Sequence, residues 1–276
     1  MKTRLWMILF GGMVACAAAP RSDGPAAPAA SAPAPEPRRA YDTARGGRLF
    51  DKWTAETKRT GAEPARMKDL FGWDLRGQKG MYGPEHMNKK NALPVDLLSW
   101  EGDVAAVAAR LARGGDGVPA YAPALTPPEL ENVAALIVAM RDGELPRADQ
   151  VLTLTSPAAK DYALATGGDA ARGKALFAER CANCHGADGT KFLLDDGAYS
   201  LGSHARQKAY EDWFKILNGQ PGSAMERQVK GASAAEMRKE LLDLLTALCD
   251  RTAFPKGAAT AADVPDADPR CGAALR

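Results

Sequence analysis

The chain is expected to be all-α, with two tandem helical units behind an amino-terminal leader and a Pro/Ala-rich linker. Three observations carry that expectation. Aromatic residues make up only 7% of the 276 residues while Ala, Leu and Glu are abundant, which favours helix over sheet. Two segments open with a capping box and run on as an apolar helical stripe. In one, Thr126 and Glu129 precede Leu130, Val133, Ala134 and Ile137; in the other, Ser233 and Glu236 precede Met237, Leu241, Leu244, Leu245 and Leu248. Finally, "ARGGRLF" at 44–50 returns as "ARGKALF" at 171–177, and the chain is long enough for two packed cores.

The leader is residues 1–15. Lys2 and Arg4 precede a short apolar run and then small residues, the anatomy of an export signal and too short to span a bilayer comfortably. Its end, "MVAC", resembles the lipobox of bacterial lipoproteins, which implies cleavage before Cys16 and lipidation of that thiol. Residues 16–40 then carry Ala and Pro without apolar periodicity, a semi-rigid tether suited to holding a soluble body off a membrane. The formal charge is +2, and apart from Lys2 and Arg4 the chain is formally neutral. No polybasic face for nucleic acid or lipid is indicated.

The first unit is expected over residues 41–145, a linker over 146–168, the second unit over 169–250 and a tail over 251–276. The second unit holds the chemistry. Cys181, Cys184 and His185 form C-x-x-C-H, the spacing at which two thiols reach two vinyl groups of a porphyrin and an imidazole comes up under its iron. Zinc would call for two further ligands at finger-like spacing, and a thiol redox pair for a surrounding βαβ pattern; neither is present. The stripe Tyr210, Trp213, Phe214 and Leu217, together with the helices on either side, is expected to enclose the cofactor. For the sixth position of the iron the candidates are Met225, on a Gly/Pro loop, and His204, with an open site as the third possibility. Met237 belongs to a buried stripe. Cys249 and Cys271 remain; in an oxidising compartment they are expected to pair, closing a loop of about 22 residues that stabilises the tail by about 3 kcal/mol.

These residues, Gly-x-x-Leu-Phe, then C-x-x-C-H-G-x-D-G, then a Gly/Pro loop ending in Met, then a final helix, resemble a class I cytochrome c domain over roughly residues 169–250. The resemblance implies one covalent haem c, with Cys181 and Cys184 as thioether anchors, His185 and Met225 as axial ligands, and first and last helices that cross. The first unit resembles the first domain of bacterial di-haem cytochromes c, a tandem cytochrome c-like arrangement, but without the ligands. In "RMKDLFGWD" (66–74), Met67, Leu70 and Phe71 stand where "RCANCHGAD" (180–188) has Cys181, Cys184 and His185, and Tyr121 stands roughly where a distal Met is expected. His86, Met81 and Met87 read as solvated loop residues. The expected function is single-electron transfer between redox partner proteins by a lipid-anchored cytochrome of the periplasm or cell envelope, with the outer membrane favoured because Ala17, not Asp, follows the anchor. An electron-accepting subunit of a periplasmic dehydrogenase, and a haem-based sensor or enzyme with a labile sixth ligand, are the alternatives.

Overall fold

Gly46 and Gly173, the third residues of the two repeated heptapeptides, each sit where two helices cross with almost no space between them. A Cβ on Gly46 would lie 2.0 Å from the carbonyl oxygen of Asn132, and one on Gly173 would lie 1.8 Å from that of Asp243. The computed structural model that reveals these crossings describes residues 40–60, 66–86, 90–156 and 161–275. The expected leader, Cys16, nearly all of the tether, and Met87 lie outside the described residues. Ala40–Arg276 forms one unit.

In its first half, α1 (Thr43–Thr57) packs across α4 (Pro127–Arg141), with α2 (Met67–Phe71) and α3 (Val104–Arg113) between them in sequence. Asp42 caps α1 by accepting from the Arg45 amide, and the Thr126/Glu129 box caps α4, with the Thr126 amide 2.8 Å from Glu129 Oε2. In the second half, α6 (Ala170–Arg180) crosses α9 (Ala234–Leu248), and α7 (Ala182–His185) and α8 (Leu201–Asn218) lie between them in sequence. The short helices α2 and α7 both end on a glycine at positive φ, Gly72 (69°) and Gly186 (83°), a conformation that costs glycine little.

The segment read as a linker is ordered. It holds α5 (Ala148–Val151) and two three-residue strands, β1 (Leu152–Leu154) and β2 (Tyr162–Leu164), paired antiparallel with Thr153 opposite Ala163. Leu152 and Tyr162 are buried, so the hairpin contributes to the core. Otherwise the described residues are helical or irregular, and none of their helices is long and apolar enough to cross a membrane.

The stripe expected to face the cofactor faces the first half instead. Trp213 Nε1 donates to Tyr82 Oη at 2.7 Å, and Tyr82 Oη donates to the Tyr210 carbonyl at 2.6 Å. Phe214 packs on Phe50, and Tyr210 on Trp73. Periodicity identifies an apolar face but not its neighbour, which is why this assignment changes. At the same seam Asp51, 1% exposed, pairs with Lys68 of α2 and Lys215 of α8, and Trp73 Nε1 donates to it. The two lysines hold the Asp51 carboxyl below its ordinary range, although burial alone would raise it.

Met67 and Phe71 are fully buried and Leu70 packs against the core, so the positions aligned with Cys181, Cys184 and His185 are filled by apolar core. Met81 is also core rather than solvated loop, because its amide is drawn in by the buried Asp74 carboxylate at 2.6 Å. His86 is half-buried rather than solvated, and its Nδ1 has no hydrogen-bond partner among the described residues.

Candidate haem site

The site begins with a cap. The Asp169 side chain accepts from the amides of Ala171 and Arg172, starting α6, which runs to Arg180. Cys181 joins it to α7, and the turn closes when the His185 amide donates to the Cys181 carbonyl at 2.9 Å. Helical geometry therefore places Cys184 three residues and His185 four residues beyond Cys181, on the same side of the turn. Both thiols are free; Cys181 is half-buried and Cys184 exposed.

Beside this turn lies a cavity of about 400 Å³, within the range of small-molecule and cofactor sites. Cys181 and His185 form part of its wall. Phe177 of α6 and Leu244 and Leu248 of α9 line it, as do Ile216, His204, Asp212 and Lys215 of α8 and Met225 from the following loop. The structure thus brings Cys181, His185, Met225 and the rival His204 to one cavity. Met237 lies in the core, at 8% exposure.

Sequence reasoning did not find Asp212 or Lys215. An ideal helix separates residues eight apart by about 12 Å along its axis. A break in α8 at Lys208 (φ −133°, ψ 33°) brings His204 Nδ1 to 2.9 Å and 3.0 Å from the two Asp212 carboxylate oxygens. Burial alone would lower the His204 pKa; the Asp212 charge and hydrogen bond outweigh it and raise the group above its ordinary value. Nothing in the helical pattern signals that break.

His185 has the opposite environment. Burial lowers its pKa, favouring the neutral imidazole that serves as a metal ligand, and its Nδ1 is buried without a partner among the described residues. Burial pushes the Cys181 thiol up to about 11, far from the depressed values of a redox-active thiolate. No group of three or more His, Cys, Asp and Glu side chains placed to hold a metal ion occurs among the described residues.

One half-buried and one exposed thiol on one helical turn, an imidazole whose Nδ1 has no partner among the described residues, an apolar cavity and a thioether in its wall fit a flat apolar cofactor attached through sulfur, as in a c-type haem unit. Residues 170–243, from the first turn of α6 into α9, match a family model described as Cytochrome c. No curated protein matches the chain significantly. The match of residues 170–243 to a cytochrome c domain implies covalently bound haem c there and supports a haem-based electron carrier.

Proposed function

We propose that the chain carries a single haem c, held by Cys181, Cys184, His185 and Met225, and passes single electrons between redox partner proteins while tethered to a membrane of the cell envelope through Cys16. The observation that carries this reading is the convergence of Cys181, His185 and Met225 on one cavity. When bound, the haem supplies a ferrous/ferric couple. The protein's part is to fix the porphyrin edge through the two thiols, to present the His185 imidazole neutral, and to place the Met225 thioether in the opposing loop. Thioether ligation tends to raise the reduction potential.

The first half reads as a cytochrome c-like unit without haem. Its crossing glycine, its short helix ending on a positive-φ glycine and its capped last helix parallel those of the second half, while Met67, Leu70 and Phe71 form core where thiols and imidazole would be needed. Phe192, 53% exposed beside the cavity, and its neighbour Leu193 supply an apolar rim of the kind that weak redox encounters use, and the formally neutral body gives no reason to expect nucleic-acid binding.

The test is the haem content and ferric spectrum of matured protein. One haem per chain and a weak near-infrared sulfur-to-iron charge-transfer band that disappears in Met225→Ala are expected. Wild-type protein that lacks the band and takes up carbon monoxide readily when reduced would replace the carrier with a sensor or enzyme. A bis-histidine spectrum abolished by His204→Ala would assign the sixth position to His204, which lines the same cavity. Cys16→Ser is expected to release the protein from the membrane fraction.

A further inference from the structure

The loop that carries Met225 is mostly exposed, with Gly219 and Pro221 buried at its start. Gln220, Gly222, Ser223, Ala224 and Glu226 are exposed, and its internal bonds amount to a tight turn, in which the Gln220 amide donates to the Met225 carbonyl at 3.0 Å and the Met225 amide to Ser223 Oγ at 3.1 Å. Its far end is held by the second half, where Arg180 donates to the Gln228 carbonyl at 3.0 Å. Contacts with α1 of the first half hold it at two further points, Gly222 near its start and Arg227 near its end.

Three contacts make that attachment. The Gly222 amide donates to Glu56 Oε2 at 3.2 Å. The Gly222 backbone also lies against the Ala55 carbonyl so closely that a Cβ there would be 2.7 Å from its oxygen. Arg227 donates through Nε to the Leu217 carbonyl at 2.7 Å and through Nη2 to Thr43 Oγ1 at 2.9 Å, tying the loop both to the end of α8 and to the start of α1. Glu56 is itself fixed by Arg48 Nε at 3.0 Å, and Arg48 Nη1 donates to the Asn218 carbonyl at 3.0 Å, immediately before the loop.

We propose that the first half is a positioning module for the distal ligand: α1, through Glu56, Ala55 and Thr43, holds the 219–228 loop so that Met225 stays at the haem cavity. The proposal rests on Met225 being the sixth ligand. It gives the haem-less repeat a task that its own lack of ligands does not impair, because the work is done by a helix surface. Glu56 and Thr43 are positioning residues; they act on the iron only through the loop.

The experiment compares full-length, haem-loaded wild type with Glu56→Ala/Thr43→Val, each single variant, and the conservative Glu56→Gln, which keeps an acceptor oxygen for the Gly222 amide. Arg110→Ala is the control; Arg110 stacks on Trp100 within the first half and belongs to α3. The readouts are the sulfur-to-iron band, the carbon monoxide-accessible fraction of ferrous protein and the far-UV melting curve. Each lost hydrogen bond is expected to raise the carbon monoxide-accessible fraction by about tenfold. The double variant should thus lose band intensity while remaining folded, Arg110→Ala should resemble wild type, and Glu56→Gln, which keeps the acceptor for Gly222 but loses the one for Arg48, should lose less than Glu56→Ala. If wild type shows the band and the double variant keeps it at wild-type strength, the positioning role is wrong and the Met225 assignment stands, even if the melting curve shifts. If wild type shows no band that depends on Met225, both fail. Should the double variant not fold, the single variants decide by the same readouts, Thr43→Val missing the Arg227 bond and Glu56→Ala missing the Gly222 and Arg48 bonds.

Discussion

Replacing Gly173 by Ala adds one methyl group at the α6–α9 crossing, where it meets the Asp243 carbonyl oxygen at 1.8 Å, its carbon at 2.5 Å and the Ala247 Cβ at 2.8 Å. Comfortable contact lies near 3.5 Å, so the helices must separate by about 1.5 Å. The obstacle is backbone, and no side-chain rotation relieves it. Separation would loosen Leu176 and Phe177 from α9 and pull at the bond from the Asp169 amide to Asp243 Oδ1, 2.7 Å, which joins the start of α6 to α9. Overpacking of this severity costs about 3 kcal/mol or more, against about 1 kcal/mol gained from the higher helix propensity of alanine. A net loss of about 2 kcal/mol, or a fall of about 5 °C in melting temperature, is expected in thermal denaturation of the haem-loaded chain. Gly46→Ala, with its Cβ 2.0 Å from the Asn132 carbonyl oxygen, should lose a similar amount. A Gly173→Ala protein as stable as wild type would mean that alanine's propensity outweighs the contact, and the reasoning from the close crossing would be refuted.

Other perturbations reach different parts of the fold. Asp51→Ala leaves Lys68 and Lys215 without their shared carboxylate and should cost about 3–5 kcal/mol in denaturant titration. Because the folded pKa of Asp51 lies below its unfolded value, its contribution is present above about pH 4 and is lost as the pH falls through the folded value; an unchanged acid limb in the variant would disprove that source. Asp74 behaves inversely. Burial raises it to about 7, so its contribution is complete below about pH 4 and is lost as the pH rises to 7. Urea midpoints at pH 5 and pH 8 should differ less in Asp74→Asn than in wild type, and an equal difference would contradict the assignment. Cys249 and Cys271 are bonded to each other, and the double serine variant should melt with a loss of about 3 kcal/mol, read against wild type with and without reductant.

The attachment turn and the helix caps were legible because their physics is local. C-x-x-C-H needs only a helical turn to set its side chains together, and Ser233 accepts from the Glu236 amide to open α9, although the Glu236 carboxylate takes the Ala232 amide instead of completing the expected box. Longer-range choices were not legible. The Asp51–Lys215 pair joins residues 164 positions apart, and composition says nothing about which carboxylate meets which ammonium. The stripe on α8 was visible, but its partner was not, since Tyr82 and Phe50 satisfy an apolar face as well as a porphyrin does. Three-residue strands are too short to show a period of two, so β1 and β2 passed for linker. In the first half, the apolar Met67, Leu70 and Phe71 could be read directly, whereas the burial of Met81 depended on a carboxylate seven residues earlier in the chain.

The disulfide has a consequence for how the protein is made. Of the four cysteines among the described residues, Cys249 and Cys271 are bonded while Cys181 and Cys184 are free, as the proposed attachment through sulfur requires, and four cysteines allow three pairings. Burial sorts them. Once α9 and the tail have closed, Cys249 is 1% and Cys271 7% exposed, beyond the reach of a thiol reductant that needs direct access to sulfur, while Cys184 stands open to it. The fold therefore lets a reductant reach Cys184, and through it a bond to Cys181, without undoing the Cys249–Cys271 bond, provided that the tail has packed first.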